Sequence, residues 1–419
     1  MEKALLVTIK LESEKDSWDI EDSARELEEL AISSGVEVLA NITCIINKPT
    51  ANFFIGRGKA EEIAVLSHDE DAPVIIFSHD LSGTQQRNLE EVIGRKTIDR
   101  TQLILDIFAR HAKTPEGQTQ VGLAQLQYLL PRLIGKGVIL SRLGGGIGTR
   151  GPGEQKLEVD RRRIRKRIDK LKQDLSRLRV HRQVIREKRR EGHVPSIALV
   201  GYTNAGKSTL LNTLTNAGQV VHDSLFTTLD PLSKNMRLAN GENVVVSDTV
   251  GFLHNLPHHL IEAFKATLEE VQLADLLIQV LDASHSRVFE HNQAVMGVLK
   301  ELGADKKTII TALNKIDLID DKTWLNTLEK EFPCAVSLSA KFGKHIDILL
   351  NKIGEYFQAR MSRLKLVIPS TRMDIVNLLY KEGRVHKIDY TNKGIKIEVT
   401  LPTLLANKLL KNKELDNLN

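Results

Sequence analysis

The stretch that decides the fold is Gly201-Tyr202-Thr203-Asn204-Ala205-Gly206-Lys207-Ser208, which fits the pattern G-x-x-x-x-G-K-[ST]. The apolar run 196–200 before it predicts a strand, and Thr209, which we include among the nucleotide-binding residues, opens a predicted helix after it. In that setting the glycine-rich backbone wraps around phosphate oxygens, Lys207 reaches the outer phosphates and the Ser208 hydroxyl binds magnesium. The stretch therefore predicts a nucleoside-triphosphate site with Mg²⁺ as cofactor; the alternative is a chance glycine-rich turn.

Three more motifs follow in the order of a guanine-nucleotide site. The run 244–248 predicts a buried strand ending in D-x-x-G, so that Asp248 would hold magnesium through water and the Gly251 N–H would face the γ-phosphate. A later N-K-x-D places Asp317 where its carboxylate accepts two hydrogen bonds that guanine, but not adenine, donates. The third motif, Ser339-Ala340-Lys341 after Val336, matches the loop that backs the base. GTP or GDP is therefore the predicted ligand. The residues that these motifs add to the predicted nucleotide site are Asp248, Thr249, Val250, Gly251, Asn314, Lys315, Asp317, Ser339, Ala340 and Lys341.

The segment 226–230, F-T-T-L-D, lies between the phosphate loop and Asp248, which is the natural place for a switch threonine. We expect Thr228 to close over magnesium when the γ-phosphate is present; Thr227 is the alternative, and Phe226 belongs to the same nucleotide-binding segment. Binding would then order the segment. The predicted magnesium ligands are Ser208, Thr228 and Asp248, and the predicted catalytic residues are Lys207, Thr228 and Gly251.

Two positions qualify this prediction. Phe252 follows Gly251 where GTPases of the Ras type carry the glutamine that orients water, and a phenyl ring cannot do so by hydrogen bonding. Hydrolysis should therefore be slow unless a partner completes the site. Asn204 in the phosphate loop resembles GTPases that recruit K⁺ as an additional positive charge.

Composition bounds the class of protein. With 419 residues, of which 41% are hydrophobic and 27% charged, the chain should form two to four globular domains. It has no run of eighteen apolar residues and no signal-peptide pattern, which predicts a cytoplasmic monomer without a membrane span; contact with a membrane surface stays open. Cys44 and Cys334 lie far apart in apolar runs, which predicts two buried, reduced thiols.

The positive charge is concentrated in one stretch. Residues 161–190 contain fifteen Lys or Arg against three acids, a balance of +12; because the whole chain carries +5, the remaining residues sum to −7. Such a distribution favours a partner made of phosphates, and a merely solvated charged face is the alternative. The residues predicted to contact RNA are Arg142, Arg150, Arg161, Arg162, Arg163 and Arg165.

The predicted fold class is α/β, with a P-loop GTPase domain, an N-terminal α/β domain, a long helical hairpin and a small C-terminal α+β domain. The corresponding ranges are 1–97 for the N-terminal domain, 98–192 for the basic hairpin with its glycine-rich tip, 193–362 for the GTPase domain and 363–419 for the C-terminal domain. Apolar residues recur every seven positions from 157 to 185, which predicts a long helix packed on the arm 101–130, and Pro131 is expected to end that arm. The seam is imperfect, because Arg161 and Arg182 interrupt its intermediate positions. The tip lies at 141–153.

Two shorter glycine patterns are set aside. Gly56-Arg57-Gly58-Lys59 is too short for a second phosphate loop, and a turn into a helix is predicted instead. Residues 146–151 formally match the dinucleotide pattern G-x-G-x-x-G, but the following helix does not return to a parallel strand. An inserted tip carrying Arg142 and Arg150 suits a crowded anionic partner better, with a disordered linker as the alternative.

With these residues in hand, the chain resembles the HflX family of ribosome-associated GTPases over essentially its whole length. The motifs of the hairpin are specific to that family, whereas the GTP motifs are shared by many. The stretches that carry the resemblance are Gly56-Arg57-Gly58-Lys59, Asp99-Arg100, Thr114-Pro115-Glu116-Gly117, Leu129-Leu130-Pro131-Arg132-Leu133, Gly151-Pro152-Gly153-Glu154, Asp160-Arg161-Arg162 and Asp248-Thr249-Val250-Gly251-Phe252.

The resemblance implies a function. Members of the family bind the large ribosomal subunit, hydrolyse GTP faster there and are implicated in splitting ribosomes under stress; some also hydrolyse ATP. It further implies that the tip reaches toward the peptidyl transferase centre of the ribosomal RNA. The alternatives are a nucleotide-regulated RNA-binding or hibernation module and an ATP-dependent RNA remodeller.

Overall fold

A computed structural model describes residues 2–13, 18–133, 152–191, 194–215, 226, 232–238, 243–253, 265–332, 334–391, 394–410 and 416–417. Three sheets organise the described part of the chain. Each sheet has its own apolar core, and one of the core clusters extends from the first sheet into the second. No helix in these ranges is both long enough and apolar enough to cross a membrane.

The first sheet is fully parallel, in the order β2-β1-β3-β4. Its strands are β1 (Glu2–Leu11), β2 (Val36–Ile46), β3 (Val74–Phe77) and β4 (Lys96–Asp99). Its helices are α1 (Ile20–Ser33), α2 (Arg57–Asp69), α3 (Gly83–Ile93) and α4 (Arg100–His111). The predicted α/β pattern is confirmed, including the capping of α3 by Ser82 and its end at Gly94. Strand β4 was not predicted, because it is only four residues long and only two residues separate it from the end of α3.

The short glycine pattern at 56–59 is a helix start, as predicted. Gly56 caps α2, and the two cations of the pattern pair within that helix: Arg57 with Glu61 at 3.0 Å and Lys59 with Glu62 at 2.8 Å. These i,i+3 and i,i+4 pairs are the ordinary neighbours of a helix surface. The pattern therefore has a local structural explanation.

The hairpin consists of α5 (Pro115–Arg132) and the 40-residue α6 (Pro152–Glu191), which pack against each other. The heptad prediction is confirmed for positions 164 to 178, since Ile168 is buried and its neighbours on the seam are half-buried, among them Leu171, which faces Gly122 of α5. The side chains of Leu157 and Ile185 lie outside the described residues. Helix α4 also contacts α5, but its apolar face packs in the core of the first sheet.

The prediction that Pro131 ends the first arm at residue 130 is wrong by two residues, because α5 continues to Arg132. A proline in the last turn removes only one helix hydrogen bond. The next residue anchors the end of the helix, because the Arg132 guanidinium donates to Tyr128 O at 3.0 Å, Leu81 O at 2.6 Å and Asp99 Oδ2 at 2.9 Å. Asp99 is buried, which raises the pKa of its carboxyl group. The junction of β4, α4 and α5 is thus a closed polar cluster.

The second sheet has the order β10-β9-β8-β5-β7-β6, parallel except for β6, which pairs antiparallel with β7. Its strands are β5 (Ser196–Gly201), β6 (Leu232–Arg237), β7 (Asn243–Asp248), β8 (Leu276–Asp282), β9 (Ile309–Asn314) and β10 (Val336–Ser337). Its helices are α7 (Lys207–Thr215), α8 (Lys265–Leu273), α9 (Val288–Glu301), α10 (Lys322–Glu331) and α11 (Ile346–Ala359), with a 3-10 turn at Ile316–Leu318. The predicted P-loop architecture is confirmed.

The third sheet is antiparallel, in the order β12-β13-β11-β14, and forms the predicted small α+β unit. Its strands are β11 (Met361–Ile368), β12 (Arg384–Thr391), β13 (Gly394–Pro402) and β14 (Asp416–Asn417), and its helices are α12 (Met373–Glu382) and α13 (Thr403–Leu410).

The two cysteines differ from each other. Cys44 is buried in β2 and free, as predicted, and burial raises the pKa of its thiol. Cys334 is also free, but the prediction of burial is wrong, since the residue is exposed. Its φ of +72° places it in a turn before β10 rather than in a strand.

Candidate GTP site

The phosphate loop connects β5 to α7 and depends on two glycines. A Cβ at Gly201 would lie 2.3 Å from the Val280 carbonyl oxygen, so the close approach of β5 to β8 excludes any side chain there. Gly206 has φ +94°, and a Cβ would lie 2.2 Å from Asn314 Nδ2. Asn204 also has a positive φ, which asparagine tolerates. The sequence thus forms the loop because these positions admit the required backbone.

Lys207 lies inside the loop rather than on its surface. It is 6% exposed, and its ammonium group donates to Gly201 O at 3.1 Å and to Tyr202 O at 2.8 Å. Burial lowers the pKa of Lys207 to about 8, and the nearby Asp248 carboxylate opposes this shift. A phosphate group would supply the negative charge that favours the protonated form.

The two described magnesium candidates meet at the start of α7. Ser208 Oγ donates to Asp248 Oδ2 at 2.6 Å, which brings a hydroxyl and a buried carboxylate together beside the phosphate loop. Oxygen ligands of this kind are those that Mg²⁺ prefers. These residues therefore fit the ion that GTPase domains use. The third predicted ligand, Thr228, lies outside the described residues, as does its alternative Thr227.

The base-recognition motifs are held together by hydrogen bonds. Asn314 joins two loops, because its Nδ2 donates to Ala205 O and its Oδ1 accepts from Ala340 N, both at 2.9 Å. Ser339 Oγ donates to Asp317 Oδ1 at 2.5 Å and thereby orients the carboxylate predicted to read guanine. The structure therefore brings the N-K-x-D and serine-alanine-lysine loops to the same end of the sheet.

The lysines of these two loops are placed differently. Lys315 has φ +64°, and its ammonium group pairs with Asp282 Oδ2 at 2.7 Å. Lys341 is exposed and lies over the ring of Phe342. Asp282, at the end of β8, was not predicted; the mainly apolar run 276–281 directly before this carboxylate was the signal that could have identified it.

The D-x-x-G segment lies directly against the phosphate loop. A Cβ at Gly251 would be 2.7 Å from Thr203 Cγ2, so only glycine fits. The Phe252 N–H donates to Gly201 O at 3.1 Å, and Phe252 O accepts from Thr203 N at 2.8 Å. The Phe252 ring is buried in the core, which agrees with the expectation that it does not orient water.

Two further residues of this motif, predicted to bind nucleotide, have structural partners. The Thr249 hydroxyl donates to Leu199 O at 2.6 Å, and the Val250 side chain is buried in the apolar core. Thr209 lies half-buried in the first turn of α7.

The N-terminal domain reaches this site. Phe226, the described residue of the switch segment, is buried with φ +59° and packs edge-on against Phe108 of α4, with ring centroids 4.5 Å apart. The Tyr202 hydroxyl donates to Glu26 of α1. Neither Phe108 nor Glu26 was predicted as part of the site, since both lie far away along the chain.

The predicted RNA-contacting residues fall into two groups. Arg142 and Arg150 lie outside the described residues, together with the rest of the tip. Arg162, Arg163 and Arg165 are exposed on α6, and Arg161 is half-buried. The exposed cations of α6 thus lie on the faces of the helix that α5 does not cover.

Not all cations of α6 face solvent. Arg182 interrupts the heptad pattern because it is a contact residue: its guanidinium lies 2.9 Å from Glu116 of α5 and 3.8 Å from Glu269 of α8. Arg179 also pairs with Glu269, at 3.0 Å. Glu269 is only 7% exposed. This cluster, Glu116-Arg179-Arg182-Glu269, joins both arms of the hairpin to the GTPase domain, and we call it the hairpin joint.

A parallel sheet with a phosphate loop after β5, D-x-x-G after β7 and N-K-x-D after β9 defines a P-loop GTPase. The chain is 43% identical over 408 residues to "GTPase HflX" of Caldanaerobacter subterraneus subsp. tengcongensis, covering 97% of this chain and 93% of that protein. It is 40% identical over 412 residues to "GTPase HflX" of Escherichia coli, covering 98% and 96%. The chain belongs to the HflX family of GTPases.

Family profiles agree with this assignment. Profiles described as "GTP-binding GTPase N-terminal", "GTP-binding GTPase Middle Region" and "50S ribosome-binding GTPase" match residues 21–109, 111–189 and 196–315. A crystal structure of a GTP-binding protein from the hyperthermophilic archaeon Sulfolobus solfataricus in complex with GDP is 26% identical, with a TM-score of 0.45 and coverage of 85% of this chain and 98% of that chain.

Proposed function

We propose that this GTPase is a ribosome-binding factor that associates with the large ribosomal subunit and splits or rescues stalled ribosomes under stress. The observation that carries the proposal is the exposed cationic surface of α6, which ends at Glu191, shortly before β5 and its phosphate loop. A phosphate-rich RNA surface is the partner that this charge favours. The relatives' family profile described as "50S ribosome-binding GTPase" supports the same target.

The hairpin joint supports a connection between the nucleotide and the hairpin. Glu269 belongs to α8, the first described element after the D-x-x-G segment, and binds two arginines of α6. A buried carboxylate shared by two cations resists separation, because breaking the contact leaves a charge without compensation. A movement of α8 on γ-phosphate binding would therefore carry the hairpin with it.

Each predicted residue of the GTP site has its own role in binding the nucleotide. Lys207 binds the outer phosphates, Gly251 N–H contacts the γ-phosphate, and Asp317 selects guanine. Ser208, Asp248 and Thr228 would hold Mg²⁺, which neutralises phosphate charge when bound. Because Phe252 is buried and bonded through its backbone to the phosphate loop, the group that orients water must come from elsewhere, and the ribosome is the proposed source.

The decisive experiment is sedimentation of the full chain with purified ribosomes and a non-hydrolysable GTP analogue. We expect the protein to co-sediment with the large subunit in the presence of the analogue but not in the presence of GDP. With the analogue, intact ribosomes should also separate into subunits. Equal binding in the two nucleotides would exclude a GTP-controlled factor. Binding without separated subunits would leave rescue, rather than splitting, as the outcome.

A second candidate is an RNA-binding or hibernation module in which nucleotide only sets the conformation. The burial of Phe252 favours it, because the D-x-x-G loop supplies no side chain that orients water. GTP turnover with and without large subunits separates the two candidates. An unchanged rate supports the module, and a large stimulation supports the factor.

We also propose K⁺ as a second cation, next to Asn204. This side chain is exposed in the phosphate loop, where a carboxamide oxygen can serve as a ligand. GTP turnover should then be faster in potassium chloride than in sodium chloride at equal ionic strength. An equal rate in the two salts would remove K⁺ from the site.

A further inference from the structure

The phosphate loop is tied to the N-terminal domain through the side chain of Tyr202. Its hydroxyl donates to Glu26 Oε2 on α1, while Arg100, the first residue of α4, donates to Glu26 Oε1 at 2.5 Å. The side chains of Glu26 and Arg100 are each 12% exposed. Hydrogen bonds to a charged, largely desolvated carboxylate are stronger than those between neutral groups. We call Arg100, Glu26 and Tyr202 the tether.

The ring of Tyr202 is fixed from both domains as well. It stacks on His291 of α9, with centroids 4.0 Å apart and planes 7° apart, and Trp18 of the N-terminal domain lies 6.1 Å away. Arg287, which precedes α9, pairs with Asp22 of α1. The ring therefore keeps its position even where the hydroxyl is removed, which makes the hydroxyl separately testable.

The backbone of Tyr202 is hydrogen-bonded to the lysine that is proposed to bind phosphate. Its carbonyl oxygen accepts from Lys207 Nζ at 2.8 Å, and the residue pairs with Phe252 in an isolated parallel bridge. A displacement of Tyr202 would thus move both the lysine that reaches the phosphates and the segment that follows D-x-x-G. A side-chain contact to another domain is in this way connected to the phosphate loop itself.

We propose that Glu26, held by Arg100, is a positioning residue for the GTP site and acts through Tyr202. The tether holds the phosphate loop in the conformation that receives phosphate, so that little ordering is left for the nucleotide to impose. The same helix that supplies Arg100 also supplies Phe108, which packs on Phe226 of the switch segment. Helix α4 therefore contacts the switch segment directly and reaches the phosphate loop through Glu26.

The test measures the affinity of the full chain for fluorescent GDP, without ribosomes, so that its result does not depend on the proposed ribosomal function. Tyr202→Phe removes the hydroxyl and keeps the stacked ring, and Glu26→Gln keeps the size of the side chain. Each should raise Kd about tenfold, the loss expected for a hydrogen bond to a charged group. The double variant should be no weaker than the single variants, because both break the same contact.

The matched control is Glu28→Gln, which removes the same charge from an exposed position of α1 and should leave Kd unchanged. Thermal unfolding of each variant shows whether the fold is retained; if Glu26→Gln does not fold, Tyr202→Phe alone decides. Wild-type affinity in Tyr202→Phe would overturn the proposal. So would a double variant whose loss is the product of the two single losses, since the two residues would then act separately.

Discussion

The charged side chains at the phosphate loop of the GTP site are buried, whereas most described charged side chains of the basic helix α6 are exposed to solvent. In the site, Lys207 and Asp248 are 6% and 0% exposed, and both have partners at fixed distances. On α6, Arg163 and Arg177 have side chains that are 77% and 80% exposed, and each has an i,i+3 partner at 3.7 Å. Buried charges act individually and through geometry, whereas exposed charges act together and through the field they create. The two regions should therefore respond differently to salt, substitution and pH.

The largest expected effect is that of salt on α6. If about six phosphates are contacted, raising the salt from about 50 to 200 mM should weaken binding to large subunits roughly a thousandfold through counterion release. Replacing Arg162, Arg163 and Arg165 by Gln should reduce that loss to about fortyfold, since three contacts remain. The measurement is sedimentation across a salt series.

The matched control for this prediction replaces three exposed lysines of the GTPase domain, Lys300, Lys306 and Lys330, by Gln. The same charge is removed, and the salt dependence should not change. If the salt dependence changes as much as in the α6 variant, ribosome binding depends on the net charge of the protein alone. The cations of α6 would then have no special role in binding.

Lys207→Ala should produce the next largest effect, a loss of nucleotide affinity of about a hundredfold or more, because its ammonium group, held by the carbonyl oxygens of Gly201 and Tyr202, is the charge proposed to bind the outer phosphates. Lys330→Ala, an exposed lysine in α10, is the control and should bind normally. Fluorescent GDP binding measures both variants. A loss of affinity of only a few fold would mean that the buried charge of Lys207 contributes no more to nucleotide binding than a surface charge does.

The hairpin joint lies between the two regions and should show an intermediate effect. We compare the affinity for the large ribosomal subunit with the GTP analogue bound and with GDP bound. Glu269→Gln should reduce the ratio of these two affinities by about tenfold, which corresponds to a coupling free energy of about 1.4 kcal/mol. Glu331→Gln removes the same charge from an exposed position and should keep the ratio. An unchanged ratio in Glu269→Gln would show that Glu269 does not couple α8 to the hairpin.

The smallest effect is that of pH on the site. Because the pKa of free Lys207 is lowered to about 8 and bound phosphate favours its charged form, affinity should be nearly constant up to about pH 7 and fall progressively above it. Between pH 7 and 8.5 the fall should be about fourfold. Calorimetry in two buffers of different ionisation enthalpy should show proton uptake on binding near pH 8. Binding without proton uptake would contradict the lowered pKa.

Much of this molecule was predictable from the sequence because the relevant information is local. The phosphate loop, D-x-x-G and N-K-x-D each require particular backbone conformations within a few residues, and the heptad of α6 is a regular spacing. Close approach and positive φ at Gly201 and Gly206 show why those residue types are required. Failures were also local: Pro131 was given too much weight as a terminator, and Cys334 was placed in a strand instead of a turn.

Contacts between distant segments were decided only by the tertiary structure. Glu26 and Tyr202 are 176 residues apart. In the sequence, Arg182 only interrupts the apolar seam, whereas in the structure it forms ion pairs with Glu116 and Glu269. A carboxylate on a helix has the same sequence signature whether it faces water or the phosphate loop of another domain. Local spacing fixes the backbone of a motif, but only the packing of domains determines which side chains hold that motif in place.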